Sequence, residues 1–185
     1  MTQTEVEFDA IRPAVSREEA LERVDTDAGF TADDVDAVAA PKFLFDYEIR
    51  LERLFLSDRL VAFSTTVDGM TGYCFRTDVY PELTTQTLPE DAILESRVDR
   101  DEAAEKSRAT VRRYINFQFA TFIIVGKTPD IEIIRENFAY ALYWLVPHGW
   151  YESFTPNVTI IDSTTGHRLK QKVPKADIDP KTFVL

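Results

Sequence analysis

The sequence of 185 residues is poor in the features that most often signal redox, export or membrane functions. It has one cysteine, Cys74, so no disulfide can form within the chain. Its longest apolar run, residues 119–125, is far too short to cross a bilayer and predicts a buried strand instead. Residues 1–30 lack the apolar core of a signal peptide, which predicts no secretory signal. These absences favour a location in the cytoplasm, or within a particle assembled there.

Positive charge is also scarce, which limits the partners that we expect. The formal net charge is −11. A phosphate backbone and an anionic membrane surface both need a basic surface, so we predict neither nucleic-acid binding nor membrane insertion. Lysine is half as frequent as arginine, with seven against fourteen residues. An acidic surface with little lysine favours a halophilic archaeon or its virus as the source, with a GC-rich bacterium as the alternative.

Two segments carry the same signal for the start of a helix. Residues 15–20 read Val-Ser-Arg-Glu-Glu-Ala, and residues 98–103 read Val-Asp-Arg-Asp-Glu-Ala. Ser16 and Asp99 are suited to cap the free N–H groups of the first helical turn. A glutamate follows three residues later in both segments and completes a capping box. The pattern predicts two helices, the second longer than the first.

Two further segments carry the same signal for a hairpin turn. Residues 67–72 read Val-Asp-Gly-Met-Thr-Gly, and residues 161–166 read Ile-Asp-Ser-Thr-Thr-Gly. The aspartate can bond its own backbone and the last glycine can adopt a positive φ, which is typical of a turn between two strands. Each segment follows a β-branched run and precedes another short strand.

The order of these signals predicts an internal duplication. The two helix starts are 83 residues apart and the two turns are 94 residues apart. We therefore predict an α+β fold made of two tandem copies of a helix packed on an antiparallel sheet. The first copy would span residues 1–82 and the second residues 83–172, followed by an extended tail over residues 173–185.

This pattern resembles the PepSY domain. The resemblance covers Ser16–Phe75 and Asp99–Leu169, where a capped Ser-x-Glu-Glu-Ala helix start and a Val-Asp-x-x-Thr-Gly turn recur. It implies a helix packed on an antiparallel sheet and a non-catalytic binding or inhibitory role. The aspartate and glycine of the motif form turns, so the resemblance implies no catalytic residue.

The possible catalytic and metal-binding motifs are incomplete. Gly126-Lys127-Thr128 is similar to the end of a phosphate-binding loop, but the glycine required five residues earlier is Thr121, which favours a simple turn. His148 lies between a proline and a glycine, and the sequence offers it no third metal ligand. Ser153, His148 and Asp162 supply the residue types of a hydrolase triad, but the sequence around the serine is not a nucleophile elbow. We predict no catalytic residue, no metal and no cofactor, and hence no enzyme.

The second half of the chain contains a cluster of aromatic residues. We predict that five of them bind a partner: Tyr143, Trp144, Trp150, Tyr151 and Phe154. Tyr143 and Trp144 are neighbours on a predicted strand and would point to opposite faces of the sheet. The alternative is that the cluster is ordinary core.

Three functions fit these observations. The first is a non-catalytic structural or assembly protein of a larger complex or virus particle, acting through protein partners or self-assembly. The second is a PepSY-like module that regulates a protein partner. The third is an enzyme with a site that the sequence does not reveal.

Overall fold

The computed structural model describes residues 4–24, 29–51, 57–118, 129–150, 156–175 and 178. Its elements are β1 (Glu5–Ile11), α1 (Arg17–Glu22), β2 (Asp36–Leu51), β3 (Arg59–Asp68), β4 (Cys74–Thr77), β5 (Leu83–Pro89), α2 (Arg100–Gln118), β6 (Asp130–Trp150), β7 (Pro156–Asp162) and β8 (Arg168–Pro174). Short 3₁₀ turns lie at Ala32–Asp34 and Glu90–Ala92. Neither helix of the described ranges is long and apolar enough to cross a membrane.

The predicted α+β class is wrong, because the protein is mostly β-sheet. Among the residues that the structure describes, strands take more than twice as many positions as helices. The first predicted helix is only six residues long, whereas β2 and β6 contain 16 and 21 residues. β1 and β5 add an antiparallel pair that the tandem model did not include. The segment Glu5–Ile11 is rich in acidic residues, but it forms a strand in which acidic and apolar residues alternate.

The chain forms two compact units, and neither is continuous in the sequence. Unit 1 takes residues 1–41, 81–96 and 139–185, and unit 2 takes residues 42–80 and 97–138. Within unit 1, β1 pairs with β5, and the later part of β6 pairs with β7, which pairs with β8. Within unit 2, β2 pairs with β3 and β3 pairs with β4, all antiparallel.

Each unit combines the helix of one sequence half with the hairpin of the other. In unit 1, α1 lies beside the β7–β8 hairpin, and the N–H of Val15 donates to the carbonyl oxygen of Ser163 at 3.0 Å. In unit 2, α2 lies beside the β3–β4 hairpin, and the N–H of Val98 donates to the carbonyl oxygen of Gly69 at 3.1 Å. These are equivalent positions of the two repeated motifs. The tandem boundaries at residues 82 and 172 stay a prediction. Because each helix packs beside the hairpin of the other sequence half, separate expression of the two halves would test these boundaries.

The predicted helix caps are confirmed. The Ser16 Oγ accepts from the Glu19 N–H at 3.2 Å, and the Glu19 carboxylate accepts from the Ser16 N–H at 2.8 Å, which completes a capping box. At the start of α2, the Asp99 carboxylate accepts from the Glu102 N–H at 2.8 Å. Both caps satisfy backbone donors that the first turn of a helix leaves unpaired.

The predicted hairpin turns are confirmed as well. Asp68 accepts from the N–H groups of Met70 and Thr71 at 3.0 and 2.8 Å. Asp162 accepts from the N–H of Thr164 at 2.8 Å. Each turn ends on a glycine with a positive φ: Gly72 at 69° and Gly166 at 71°. A side chain is strained in this left-handed region, which explains the repeated glycine.

Replacing either turn glycine by alanine should destabilise the protein, with Gly166→Ala the more harmful change. Backbone strain alone costs about 1–2 kcal/mol at such a position. A Cβ at Gly166 would also lie 2.9 Å from the Val15 Cγ2 and would displace the Arg23 guanidinium. At Gly72 the closest contact is the flexible end of Lys106, with the Val98 Cγ2 at 3.3 Å. Urea unfolding of the two variants measures the difference, and a smaller loss for Gly166→Ala would contradict this account.

A separate apolar core holds each unit together. The core of unit 2 lies between α2 and one face of its sheet, and its buried members include Phe45, Tyr47, Ile49, Phe63, Val111 and Ile115. The core of unit 1 gathers small and aliphatic residues around one tryptophan, and its members include Ala10, Val15, Ala20, Leu142, Trp144 and Ile161. Burial of these side chains provides most of the driving force for folding.

A buried ion pair joins β2 to the hairpin turn of unit 2. The Lys42 ammonium contacts the Asp68 carboxylate, and their side chains are only 7% and 18% exposed. Burial alone would raise the pKa of the Asp68 carboxyl, but the charge and hydrogen bond of Lys42 and the turn N–H groups outweigh it. The pKa of Asp68 therefore lies below its ordinary value. The equivalent place in unit 1, opposite Asp162, is occupied by Tyr143.

Candidate protein-binding surface

Two of the five predicted partner-binding residues lie inside unit 1. Tyr143 and Trp144 are 5% and 6% exposed. The Trp144 indole N–H donates to the carbonyl oxygen of Val15 at 2.8 Å, and the Arg17 guanidinium lies 5.5 Å from the ring centroid. Because neighbouring residues of a strand point to opposite faces, the chain itself covers both faces of β6 at this point. These two side chains leave almost no area for a partner.

The other three predicted residues are described incompletely or not at all. Trp150 is the last residue of β6 and pairs with Pro156 across the ladder. Tyr151 and Phe154 lie outside the described residues. The partner-binding role of this cluster stays a prediction.

The β3–β4 hairpin of unit 2 offers an exposed sheet edge. Among the described strands, β4 pairs with β3 alone. The Asp68 N–H donates to the Tyr73 carbonyl oxygen at 2.8 Å, and hydrogen-bonded pairs alternate along an antiparallel ladder. The backbone N–H and C=O groups of Cys74 and Arg76 therefore point away from β3. An edge with such groups can pair with another strand.

Aromatic side chains cover one face of this edge. Tyr73 and Phe75 are 69% and 38% exposed, and their rings stack with centroids 6.3 Å apart. Val79, just past the end of β4, is 77% exposed. The two rings lie on the face of β4 opposite α2, because Cys74 between them packs towards the α2 core. Exposed tyrosine and phenylalanine are common anchors of protein interfaces.

Basic side chains cover the other face of the same edge. The Arg76 guanidinium lies 5.2 Å from the Phe63 ring centroid and 4.9 Å from that of Tyr114. Lys106 and Arg113 lie two turns apart on the flank of α2 nearest β4. Lys106 reaches Gly72 of the hairpin, and Tyr114, the residue after Arg113, packs against the Arg76 guanidinium. We call the set Tyr73, Phe75, Arg76, Lys106 and Arg113 the β4 edge surface.

A buried set of hydroxyl groups fixes α2 against the sheet behind this surface. The Ser107 Oγ lies 2.6 Å from both the Tyr47 hydroxyl and the Thr65 Oγ1. Burial raises the pKa of Tyr47, and the hydrogen bond with Ser107 offsets this only in part. Burial also raises the pKa of the Cys74 thiol, against the opposing effect of a hydrogen bond with Thr110. A raised pKa makes the Cys74 thiol a poor nucleophile. The thiol and the buried hydroxyl groups therefore serve to position α2 against the sheet.

Unit 1 contains a half-open cleft of about 550 Å³. Its floor is apolar and includes Val35, Leu88 and Leu145, and its charged residues are Glu5, Arg17, Asp33, Asp36, Asp91 and Lys175. Lys175 and Asp36 form an ion pair. The described residues contain no group of three or more His, Cys, Asp or Glu side chains that could hold a metal ion. The mixed charge of the lining selects no single ligand class.

The described structure does not bring the residues of the incomplete catalytic motifs together into a catalytic arrangement. Asp162 is engaged in its hairpin turn, where it also accepts from the Thr164 and Thr165 hydroxyls at 2.7 and 2.9 Å. The side chain of His148 is not described, and Ser153 lies outside the described residues. The segment Gly126-Lys127-Thr128 also lies outside them. No step of a reaction can be assigned to these groups.

Sequence reasoning missed the β4 edge surface. The sequence predicts a short strand at Tyr73-Cys74-Phe75, directly after the first turn. Whether this strand lies at a sheet edge depends on the strand order, which the local sequence does not specify. Comparison with protein-family models, with curated proteins and with solved structures gave no match. The PepSY resemblance therefore rests on the two repeated motifs alone.

Proposed function

We propose that the protein is a non-catalytic assembly protein, which joins a larger complex by pairing β4 with a strand of a protein partner. The observation that carries the proposal is the β4 edge, where outward backbone groups lie beside exposed aromatic rings. Strand addition supplies main-chain hydrogen bonds, and the aromatic rings supply contact area. The acidic composition is consistent with a halophilic cell, or its virus, and with assembly in the cytoplasm.

The hairpin of unit 1 supports the choice of β4 by contrast. Its outer strand β8 has basic residues at alternate positions, Arg168 and Lys170. Charged side chains, lysine above all, are a common device that discourages pairing at a sheet edge. At the equivalent positions β4 has Cys74 and Arg76, and it has a stacked aromatic pair beside them. We infer that β8 is the protected edge and β4 the binding edge.

Photo-crosslinking in the source cells tests this proposal. A photoreactive phenylalanine analogue replaces Phe75 in one variant and Leu169 in a second. Leu169 is the repeat equivalent of Phe75 and is similarly exposed, at 41% against 38%. We expect a discrete protein adduct at position 75 and none at position 169. Adducts of equal yield at the two positions, or none at either, would contradict strand addition at β4.

A further inference from the structure

We infer that the strand accepted by β4 alternates acidic and apolar residues, with its acidic side chains facing α2. The inference rests on the proposed function and specifies the chemistry of the partner. It follows from the two faces of the β4 edge surface, which differ in character although they flank the same backbone. An added strand would present its side chains alternately to these two faces.

The face beside α2 selects negative charge. Although the chain has a net charge of −11, residues 106–118 of α2 contain four basic residues and no acidic one. Two of these, Lys106 and Arg113, lie on the flank nearest β4, and Arg76 adds a third positive charge from the strand. Lys106 has an acidic neighbour, since Glu102 lies 2.8 Å from it. A net positive charge therefore faces the position of an added strand.

The opposite face selects apolar contact. Tyr73 and Phe75 lie two residues apart along the strand and form one stacked surface. A residue of the partner that lies opposite Phe75 would place its side chain against these rings. Its neighbours on either side would point towards Arg76 and Arg113. The resulting pattern is acidic, apolar, acidic, which is the alternation that β1 of this chain shows in Glu5–Ile11.

A second copy of the chain fits this edge less well. Antiparallel pairing of two β4 strands about a two-fold axis at Phe75 would place Arg76 opposite Cys74 of the other copy. The other copy's arginine at position 76 would then lie on the face beside α2, where Arg76 and Lys106 already place positive charge. Like charges placed opposite each other destabilise a strand pair. The charge pattern therefore favours an acidic partner strand.

Peptide binding to the full-length protein tests the inference. The probe is a fluorescent octapeptide of alternating glutamate and valine with one central phenylalanine, and the matched peptide has glutamine in place of each glutamate. In 1 M KCl the screening length is about 3 Å, so only contact pairs contribute to the difference. We expect the glutamate peptide to bind about tenfold more tightly, from two or three ion pairs of modest strength. Equal binding of the two peptides would overturn the inference.

Protein variants locate the binding site. Arg113→Gln should weaken binding of the glutamate peptide about threefold and leave the glutamine peptide unchanged. Arg112→Gln is the matched control, because Arg112 is exposed but lies about 100° around the helix from Arg113. Phe75→Lys should weaken both peptides. Equal losses with Arg112→Gln and Arg113→Gln would overturn the inference. A single-stranded oligonucleotide that binds through Arg113 in preference to the glutamate peptide would do the same.

The two proposals fail in different ways. An adduct at position 75 without a preference for glutamate would leave strand addition in place and reject the acidic partner. A concentration-dependent dimer that Phe75→Lys abolishes would also reject it, in favour of a second copy. Absence of any adduct at position 75 in the source cells would reject strand addition itself, whatever the peptides do.

Discussion

A chain cut between Asp78 and Val79 is expected to give two fragments that fold only together. Fragment 1–78 contains α1 and the β3–β4 hairpin, and fragment 79–185 contains α2 and the β7–β8 hairpin. Each unit needs the helix of one fragment and the hairpin of the other. Alone, fragment 1–78 would expose the apolar face of its sheet, and α2 in the other fragment would lose its packing surface. Most of the stability of a helix in a protein comes from the packing of its apolar face against the rest of the fold.

Circular dichroism and sedimentation would measure this outcome. We expect each fragment alone to lack a cooperative thermal transition, and an equimolar mixture to recover one as a 1:1 complex whose stability rises with concentration. The control is a full-length chain with a protease site inserted at the same exposed position and cut after folding, which should remain associated. A cooperative transition of fragment 1–78 alone would contradict the exchange and would support autonomous copies with a boundary near residue 82.

Replacing Asp68 by asparagine should destabilise the protein by about 3 kcal/mol, because it removes the carboxylate that contacts the buried Lys42 ammonium. Asp162→Asn is the matched control, since Asp162 occupies the equivalent turn but faces Tyr143. That variant should lose only about 1 kcal/mol from weaker turn hydrogen bonds. Lys42→Met combined with Asp68→Asn should lose less than the sum of the single changes. Equal losses for Asp68→Asn and Asp162→Asn would show that the ion pair contributes nothing.

The same ion pair predicts an acid dependence. The pKa of Asp68 is lowered in the folded protein, so its contribution to stability is fully present above the unfolded value of about 3.9. It is lost as the pH falls through the lower, folded pKa. Urea unfolding of the wild type should therefore show a loss of stability below about pH 4 that Asp68→Asn does not show to the same extent. Parallel pH profiles for the two proteins would contradict this assignment.

Local features of the fold were predictable from the sequence, whereas long-range pairing was not. The caps at Ser16 and Asp99 and the turns ending at Gly72 and Gly166 depend on a few adjacent residues, and all four are confirmed. The helix of one motif pairs with the turn of the other, and nothing in either motif encodes that choice. The long strands β2 and β6 each contribute residues to both units.

The β4 edge surface likewise combines a local feature that the sequence predicts with a long-range feature that it does not. Side-chain alternation along Tyr73-Cys74-Phe75 can be read from the residues, but exposure depends on which strands lie next to β4. Trp144 is the converse case, since its size and interface propensity predict a contact residue. The structure buries it under Val15 and Arg17, which precede it by more than a hundred residues. Aromatic content alone does not separate core from surface.

The exchange of helices and hairpins also constrains how the protein is made. Arg23, just after α1, donates to the carbonyl oxygen of Gly166, and 143 residues separate the two. At the usual pace of translation, the first helix waits roughly 7–30 seconds for its hairpin to emerge from the ribosome. The apolar strand β2 is synthesised early and must also wait for α2. The nascent chain therefore passes through a long interval with an exposed sheet face, during which a chaperone or rapid synthesis would protect it from aggregation.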